Sequence, residues 1–449
     1  MRIILTFAAL SIVSCPITVQ AQNFSDYLIA RQAQQERDWN KASNSWENFL
    51  KENKDFPKDS IADIRSRASL TALASGDYET AIKAAQETLE KDKNALGVFD
   101  KMLLATYAVK EDDLTLAKTV LKDIKEDAFK QLVIPTIENY LKKGDYETDR
   151  LNFAAALRDL SKLFLQEGRE DSTLLFARLA DYLAPDLDGV ELLLADTLFS
   201  TDNYAAAYEA YLNVPKDHPD FIKARLLAAR SLKEQGKVDE AISLLQDTQK
   251  QHPSLDITYE LGDYFRAEDN HKQAIRYYTD VIKSFNGKEI PKRYAYAYYL
   301  RAISYESEKQ WEKAETDLMK ALEYFPDDAH ILNYLGYGWI DRDKNIDQGI
   351  KMIRHALKIE PNDGYITDSL GWALYKKGQY EEAVTTLEQA VELVPYDPVL
   401  NDHLGDAYWQ VGRKQEAVYQ WERALNNKDQ DIAGALNTTD VERKIATGL

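Results

Sequence analysis

The side chains of this 449-residue chain best suited to proton transfer or metal ligation are six histidines, His218, His252, His271, His330, His355 and His403. No two of them stand three or four residues apart, the spacing that would set two imidazoles on one helix face to share a metal. No His-Glu-x-x-His, Cys-x-x-Cys, Gly-x-Ser-x-Gly or phosphate-cradling glycine loop occurs. The triplet Asp341-x-Asp343-x-Asn345 opens like a calcium loop. Ile346, however, stands where the turn glycine belongs and Met352 where the bidentate glutamate belongs, so a solvated turn is expected there. Carboxylate pairs such as Glu381-Glu382 carry little information in a chain with 75 acidic residues. The residue types therefore predict a protein that is not an enzyme, with no cofactor and no metal site.

What does recur is a spacing. Leu370-Gly371 returns 34 residues later as Leu404-Gly405, Gly378 as Gly412, Ala383 as Ala417 and Ala390 as Ala424. The small residues predict two antiparallel helices crossing closely at Gly371 and Ala383. Gly378 and Gly412 suit a turn with positive φ between the helices. Stepping backwards, Leu335-Gly336 with Ala356 marks one copy and Ala302, Ala314, Ala321 and Pro326 another. Leu261-Gly262, Ala274 and Tyr278 follow, then Gly236, Ala241, Leu245 and Pro253, then Ala195, Tyr204, Ala207 and Tyr211. Farther upstream the copies degrade: Ala180 with Pro185 and Gly144-Asp145-Tyr146 are partial. Gly76-Asp77-Tyr78 with Ala81 is better, and Trp39, Ala42 and Trp46 make the first.

The pattern L-G-x-x-[LY]-x-x-x-G-x-x-x-x-A-x-x-x-[LW]-x-x-A resembles the tetratricopeptide repeat. That resemblance implies an all-α fold, a right-handed superhelical solenoid of helix-turn-helix repeats. Two helices of about twelve residues per copy, with apolar residues at i, i+3, i+4 and i+7, agree with it. The expected division is an export signal over 1–21, a partly degenerate repeat block over 22–290, a clear repeat block over 291–430, and a capping helix with tail over 431–449. The loop Phe285–Pro291 breaks the period and predicts a soft joint near residue 290. Asn437-Thr438-Thr439-Asp440 can cap a last helix through Thr447.

In the tetratricopeptide register, positions 2, 5, 9 and 12 of each first helix line the concave face. They supply Tyr259, Tyr296, Tyr299, Tyr337, Tyr365, Trp372, Tyr375 and Trp409, with Tyr334 beside them at position 6. Such an aromatic stripe suits a peptide-binding or a sugar-stacking groove, with Trp372 and Trp409 as the leading anchors; the alternative is that these rings fill gaps between repeats. Tetratricopeptide domains of the carboxylate-clamp type hold a chaperone's C-terminal carboxylate with Lys and Asn at positions 5 and 9. Here those positions hold Asn333 and Tyr337, Asp368 and Trp372, Asp402 and Asp406. Only Asn333 fits, which argues against a cytosolic chaperone-cofactor role.

Arg2, the apolar run Ile3 to Val13 and the small residues Val19 and Ala21 form an export signal with a cut before Gln22. Ile12-Val13-Ser14-Cys15 also resembles the lipobox of bacterial lipoproteins, so Cys15, the chain's one cysteine, offers lipidation as an alternative. In neither case can an intramolecular disulfide form. The formal net charge of −19 becomes −20 once Arg2 is removed, which argues against nucleic acid and against electrostatic attachment to anionic lipid.

Leu335-Gly336-Tyr337-Gly338-Trp339-Ile340-Asp341-Arg342, Asp368-Ser369-Leu370-Gly371-Trp372 and Asn401-Asp402-His403-Leu404-Gly405-Asp406-Ala407-Tyr408-Trp409 resemble exported multi-repeat proteins of Gram-negative bacteria. That class includes an outer-membrane lipoprotein adaptor of a carboxyl-terminal processing protease. The resemblance implies a periplasmic scaffold for envelope protein or peptide partners, among them a protease or a peptidoglycan enzyme, with membrane attachment only through Cys15. The competing expectation is a polysaccharide-handling accessory.

Overall fold

Backbone handedness punctuates the chain once per repeat. Gly168, Asp202, Gly236, Asp269, Lys309, Asp343, Gly378 and Gly412 all adopt positive φ, each in the short turn between the two helices of a pair. Glycine takes this conformation without steric cost, and the other residues hold it because the flanking helices fix both ends of the turn. The computed structural model describes residues 24–53, 58–91, 96–124, 146–187, 189–431 and 436–449. The expected signal, Cys15 and the Gly144-Asp145 turn lie outside the described residues. Among the described residues there is no strand, and no helix is long and apolar enough to cross a membrane.

The chain divides into two compact units, 1–252 and 253–449. The first begins with the pairs Phe24–Gln35/Trp39–Glu52, Lys58–Ser75/Tyr78–Lys91 and Val98–Lys110/Leu114–Lys122. It continues with Tyr146–Gln166/Glu170–Leu183, Val190–Ser200/Tyr204–Asn213 and Phe221–Glu234/Val238–Gln251. The degenerate copies therefore still form helical hairpins. Their packing is not purely between neighbours, because Arg37 pairs with Glu170 at 2.8 Å and Tyr78 donates to Asp181. The helix Glu170–Leu183 thus closes back on the first and second hairpins.

The second unit starts at Pro253, about one repeat before the loop where the sequence suggested a joint. That loop is no open hinge. Ile290 and Tyr294 are buried, and Tyr294 donates to Asp256 at 2.6 Å. The extra residues fill space between pairs, which is why the period lengthens without ending the core. The pairs of this unit are Leu255–Ala267/His271–Ser284, Ala297–Ser307/Trp311–Tyr324, Ala329–Asp341/Ile346–Ile359, Gly364–Lys376/Tyr380–Leu393 and Pro398–Gln410/Lys414–Asn426. The helix Thr438–Thr447 ends it. Asp328, Asp363 and Asp397 start three of the first helices by accepting from backbone N–H groups two or three residues on, and Asn437 does the same for the last helix.

Small residues do set the helix crossings, with partners that differ from the expected ones. A Cβ at Gly371 would lie 2.5 Å from Leu387, rather than meeting Ala383; one at Gly405 would lie 2.5 Å from the Trp421 indole, and one at Gly262 2.7 Å from the Tyr278 ring. Each of these three glycines is the socket for one large residue of the second helix of its pair. Leu387, Trp421 and Tyr278 are fully buried there, as are Ala383 and Ala417. At Gly336 the socket takes backbone instead, since a Cβ would stand 2.9 Å from the carbonyl oxygen of Gly349.

Candidate functional site

The first helices of the last repeats place their positions 5, 6 and 9 around one groove in the C-terminal unit. It encloses about 300 Å³. Its lining includes Asn333, Tyr334, Tyr337, Tyr365, Asp368, Ser369, Asp397, His403 and Asp431. Three of the sequence-selected tyrosines thus converge on one site. Burial, reinforced by neighbouring carboxylates, pushes the Tyr334 and Tyr337 hydroxyls above the usual tyrosine range. Both remain protonated donors. Tyr365 is the open one, with 55% of its surface exposed.

Tyr334 extends the groove into a ladder of edge-to-face rings. It meets Tyr299 at 5.9 Å, Tyr299 meets Tyr296 at 5.2 Å, and Tyr296 meets Phe325 at 5.5 Å. Ring pairs of this kind hold one another rigid. Tyr259 sits apart, against Tyr278 and Tyr294. Trp372 stacks nearly parallel on Tyr375 at 4.8 Å and on His403 at 4.2 Å. It therefore braces one repeat against the next instead of presenting an open face. Trp409 departs from its expected place as a groove anchor. It packs on Trp421 at 5.4 Å, the Lys414 ammonium lies 3.6 Å from its ring centre, and Gly448 of the tail is so close that a Cβ there would overlap the indole. These contacts leave Trp409 half-buried between Trp421, Lys414 and Gly448, in the manner of the gap-filling alternative.

Sequence reasoning did not select the polar half of the groove. His403 Nδ1 lies 3.0 Å from both carboxylate oxygens of Asp368, and both residues are buried. Burial works against the imidazolium, but Asp368 outweighs it and holds the His403 pKa above its ordinary value. An Asp–His pair is the base-orienting half of many nucleophilic sites. Ser369, the neighbouring hydroxyl, donates instead to the carbonyl of Tyr365 at 3.0 Å, so it does not extend the Asp368–His403 pair into a charge relay. The sequence signal for this half is a polar residue at position 5 in three successive copies: Asn333, Asp368 and Asp402.

The last repeat shows what such positions do. Lys444 of the terminal helix, with 6% of its side chain exposed, places its ammonium 2.9 Å from Asp402 and 2.9 Å from Asp406. Burial first, and then the nearby Asp402 charge, push Asp406 up to about 6, although Lys444 pulls it down. Elsewhere, His330, Glu360 and Asp363 bring ligand atoms within 4.8 Å of one another. Asp363 also accepts from the backbone of Tyr365 and Ile366 through one carboxylate oxygen, at the start of its helix. A cavity of about 600 Å³ in the N-terminal unit is lined mainly by helix ends, including Arg37, Asp38, Asp202 and Asn203, and holds no comparable ring ladder.

Tetratricopeptide repeat models match residues 226–289 and 259–329, and a TPR repeat model matches 371–412. The model of anaphase-promoting complex, cyclosome, subunit 3 matches residues 167–248. A TPR repeat-containing protein of Pseudomonas aeruginosa is 30% identical over 179 residues, covering 40% of this chain and 30% of that protein. The aspartyl/asparaginyl beta-hydroxylase of Mus musculus is 26% identical over 184 residues, 37% of this chain and 23% of that one. The chain thus spans less than a third of the length of these relatives. Among solved structures, the APC/C Cut9–Hcn1 hetero-tetramer is similar at 15% identity and TM-score 0.44, covering 94% of this chain and 96% of that one. A tetratricopeptide repeat protein from Parabacteroides merdae is similar at 14% identity and TM-score 0.41, covering 65% and 97%.

Proposed function

Because the chain belongs to the tetratricopeptide repeat family, whose scaffolds bind other proteins and are in general non-catalytic, we propose that it is a protein-binding adaptor of the bacterial cell envelope. It acts in the periplasm, and its clients are envelope proteins, among them a protease or a peptidoglycan enzyme. The observation that carries this reading is the groove: three tyrosines and a buried Asp–His pair on consecutive first helices, fixed by ring stacking and open at Tyr365. A rigid aromatic surface with a polar floor offers large contact area at low entropic cost. The N-terminal signal pattern and the acidic charge support export and a soluble mature chain. Sugar stacking is the weaker reading, since it needs open ring faces and Trp372 is already stacked on two neighbours.

A photocrosslinking residue at position 365, tested in cells against the same residue at the exposed Tyr419 on a second helix, decides between them. Envelope proteins captured at 365 and not at 419 are the expected result. Equal capture at both positions, or capture of glycan alone, would overturn the adaptor.

A further inference from the structure

Position 5 of the first helix forms a series along the C-terminal unit, and each member has a different fate. In the last repeat Asp402 receives the Lys444 ammonium at 2.9 and 3.0 Å. One repeat earlier Asp368 receives His403 at 3.0 Å. One repeat earlier again stands Asn333, whose side-chain oxygen is buried and has no hydrogen-bond partner. The residue that would serve it as His403 serves Asp368 is Ser369, and that hydroxyl is spent on its own helix. A buried acceptor without a donor is unfavourable, and a ligand that brings a donor relieves it.

We propose that this groove takes a basic side chain, a lysine or arginine of a partner's peptide segment, whose cationic end lies among the tyrosine rings and donates to Asn333. The proposal rests on the adaptor reading and adds the chemistry of the client. Three observations carry it. The vacant acceptor is the first. The charge of the lining is the second: Asp368, Asp397 and Asp431 face one histidine, and no lysine or arginine lines the groove among the described residues. The third is internal precedent, because the terminal helix of this chain already seats a lysine ammonium at the corresponding position of the last repeat. Tyrosine faces add cation–π attraction, which an acidic or neutral segment would forgo.

The test uses the full mature chain and a short fluorescein-labelled peptide carrying lysines, with its acetyllysine and glutamate counterparts, read by fluorescence polarisation. The lysine peptide should bind, more weakly as salt is raised, and both counterparts should bind about tenfold more weakly or worse. Asn333→Leu and Tyr365→Leu should each weaken the lysine peptide several-fold, while Glu381→Gln, exposed on a second helix, should leave it unchanged. Circular dichroism on each variant confirms the fold, and the exposed Tyr365 provides a variant that removes little packing. Equal binding of the acetyllysine peptide, or full affinity in both groove variants, would overturn the basic client. Failure of the adaptor reading is distinguishable: there, no envelope protein crosslinks at position 365, whatever the peptides do.

Discussion

Lys444 is a buried cation between a buried acid, Asp406, and a half-buried one, Asp402, and its worth can be measured. Lys444→Met would leave Asp402 and Asp406 facing each other without a counter-ion, and breaking a buried pair this way costs about 3–5 kcal/mol. Urea unfolding, with hydrogen exchange of 438–447, should show the terminal helix opening first; unchanged protection there would mean that the ion cluster does not hold it. The pH behaviour has a definite sign. Asp406 is raised to about 6, so its contribution is complete below about pH 4 and is lost as pH rises through about 6. Asp100 in the N-terminal unit behaves alike. It is raised to about 6 by burial, against hydrogen bonds from Ser66, Ser69 and the Gly97 N–H. The stability of the parent relative to Asp100→Asn should therefore fall by about 2 kcal/mol between pH 4 and pH 6. A difference independent of pH would show that Asp100 is not buried as a charge.

At the scale of the helix pair, the glycine socket is the unit of design. Gly405→Ala puts a methyl group 2.5 Å from the Trp421 indole and 3.1 Å from the Ala417 carbonyl oxygen, and Trp421 is fully buried and cannot swing away. Overpacking of this kind costs roughly 1–3 kcal/mol. Thermal melts of Gly405→Ala and, as a control, Gly412→Asn should separate the two roles of glycine. Gly412 has open space around its missing Cβ and needs only positive φ, which asparagine tolerates, so the control should lose far less. The two tryptophans differ in the same way. Trp409→Ala should lower stability by roughly 1–3 kcal/mol and release the tail, because Gly448 and Trp421 both lie against that half-buried ring. Trp372→Ala should instead loosen His403 and weaken binding in the groove. If Trp409→Ala melts like the parent, the tail does not depend on it.

Over the whole molecule, the acidic balance and the export pattern set expectations about place. A net charge of −19 repels nucleic acid and anionic lipid and favours cationic segments at low ionic strength. The mature protein is expected to begin at Gln22 and to leave cells with the periplasmic fraction. Intact-mass analysis checks this, and an acylated N-terminus at Cys15 would replace it with the lipoprotein alternative.

Local spacing by itself determined the repeat. Gly378 and Gly412 announced turns, Asn437 announced a helix start, and the recurrence of Leu-Gly announced helix crossings, because each depends on residues within one helical pair. The candidate groove was half legible for the same reason: Tyr337 and Tyr365 lie on concave positions that the period fixes, and Tyr334 lies beside them. What required the tertiary structure was every contact one repeat or more apart. Asp368 finds His403 across 35 residues and Asp406 finds Lys444 across 38. Which glycine accepts which large residue, and whether a tryptophan faces solvent or the next helix, follow from how pairs stack. Gly448, which follows the helix Thr438–Thr447, lies against Trp409 and leaves that ring half-buried, a contact that the period of the repeats does not contain.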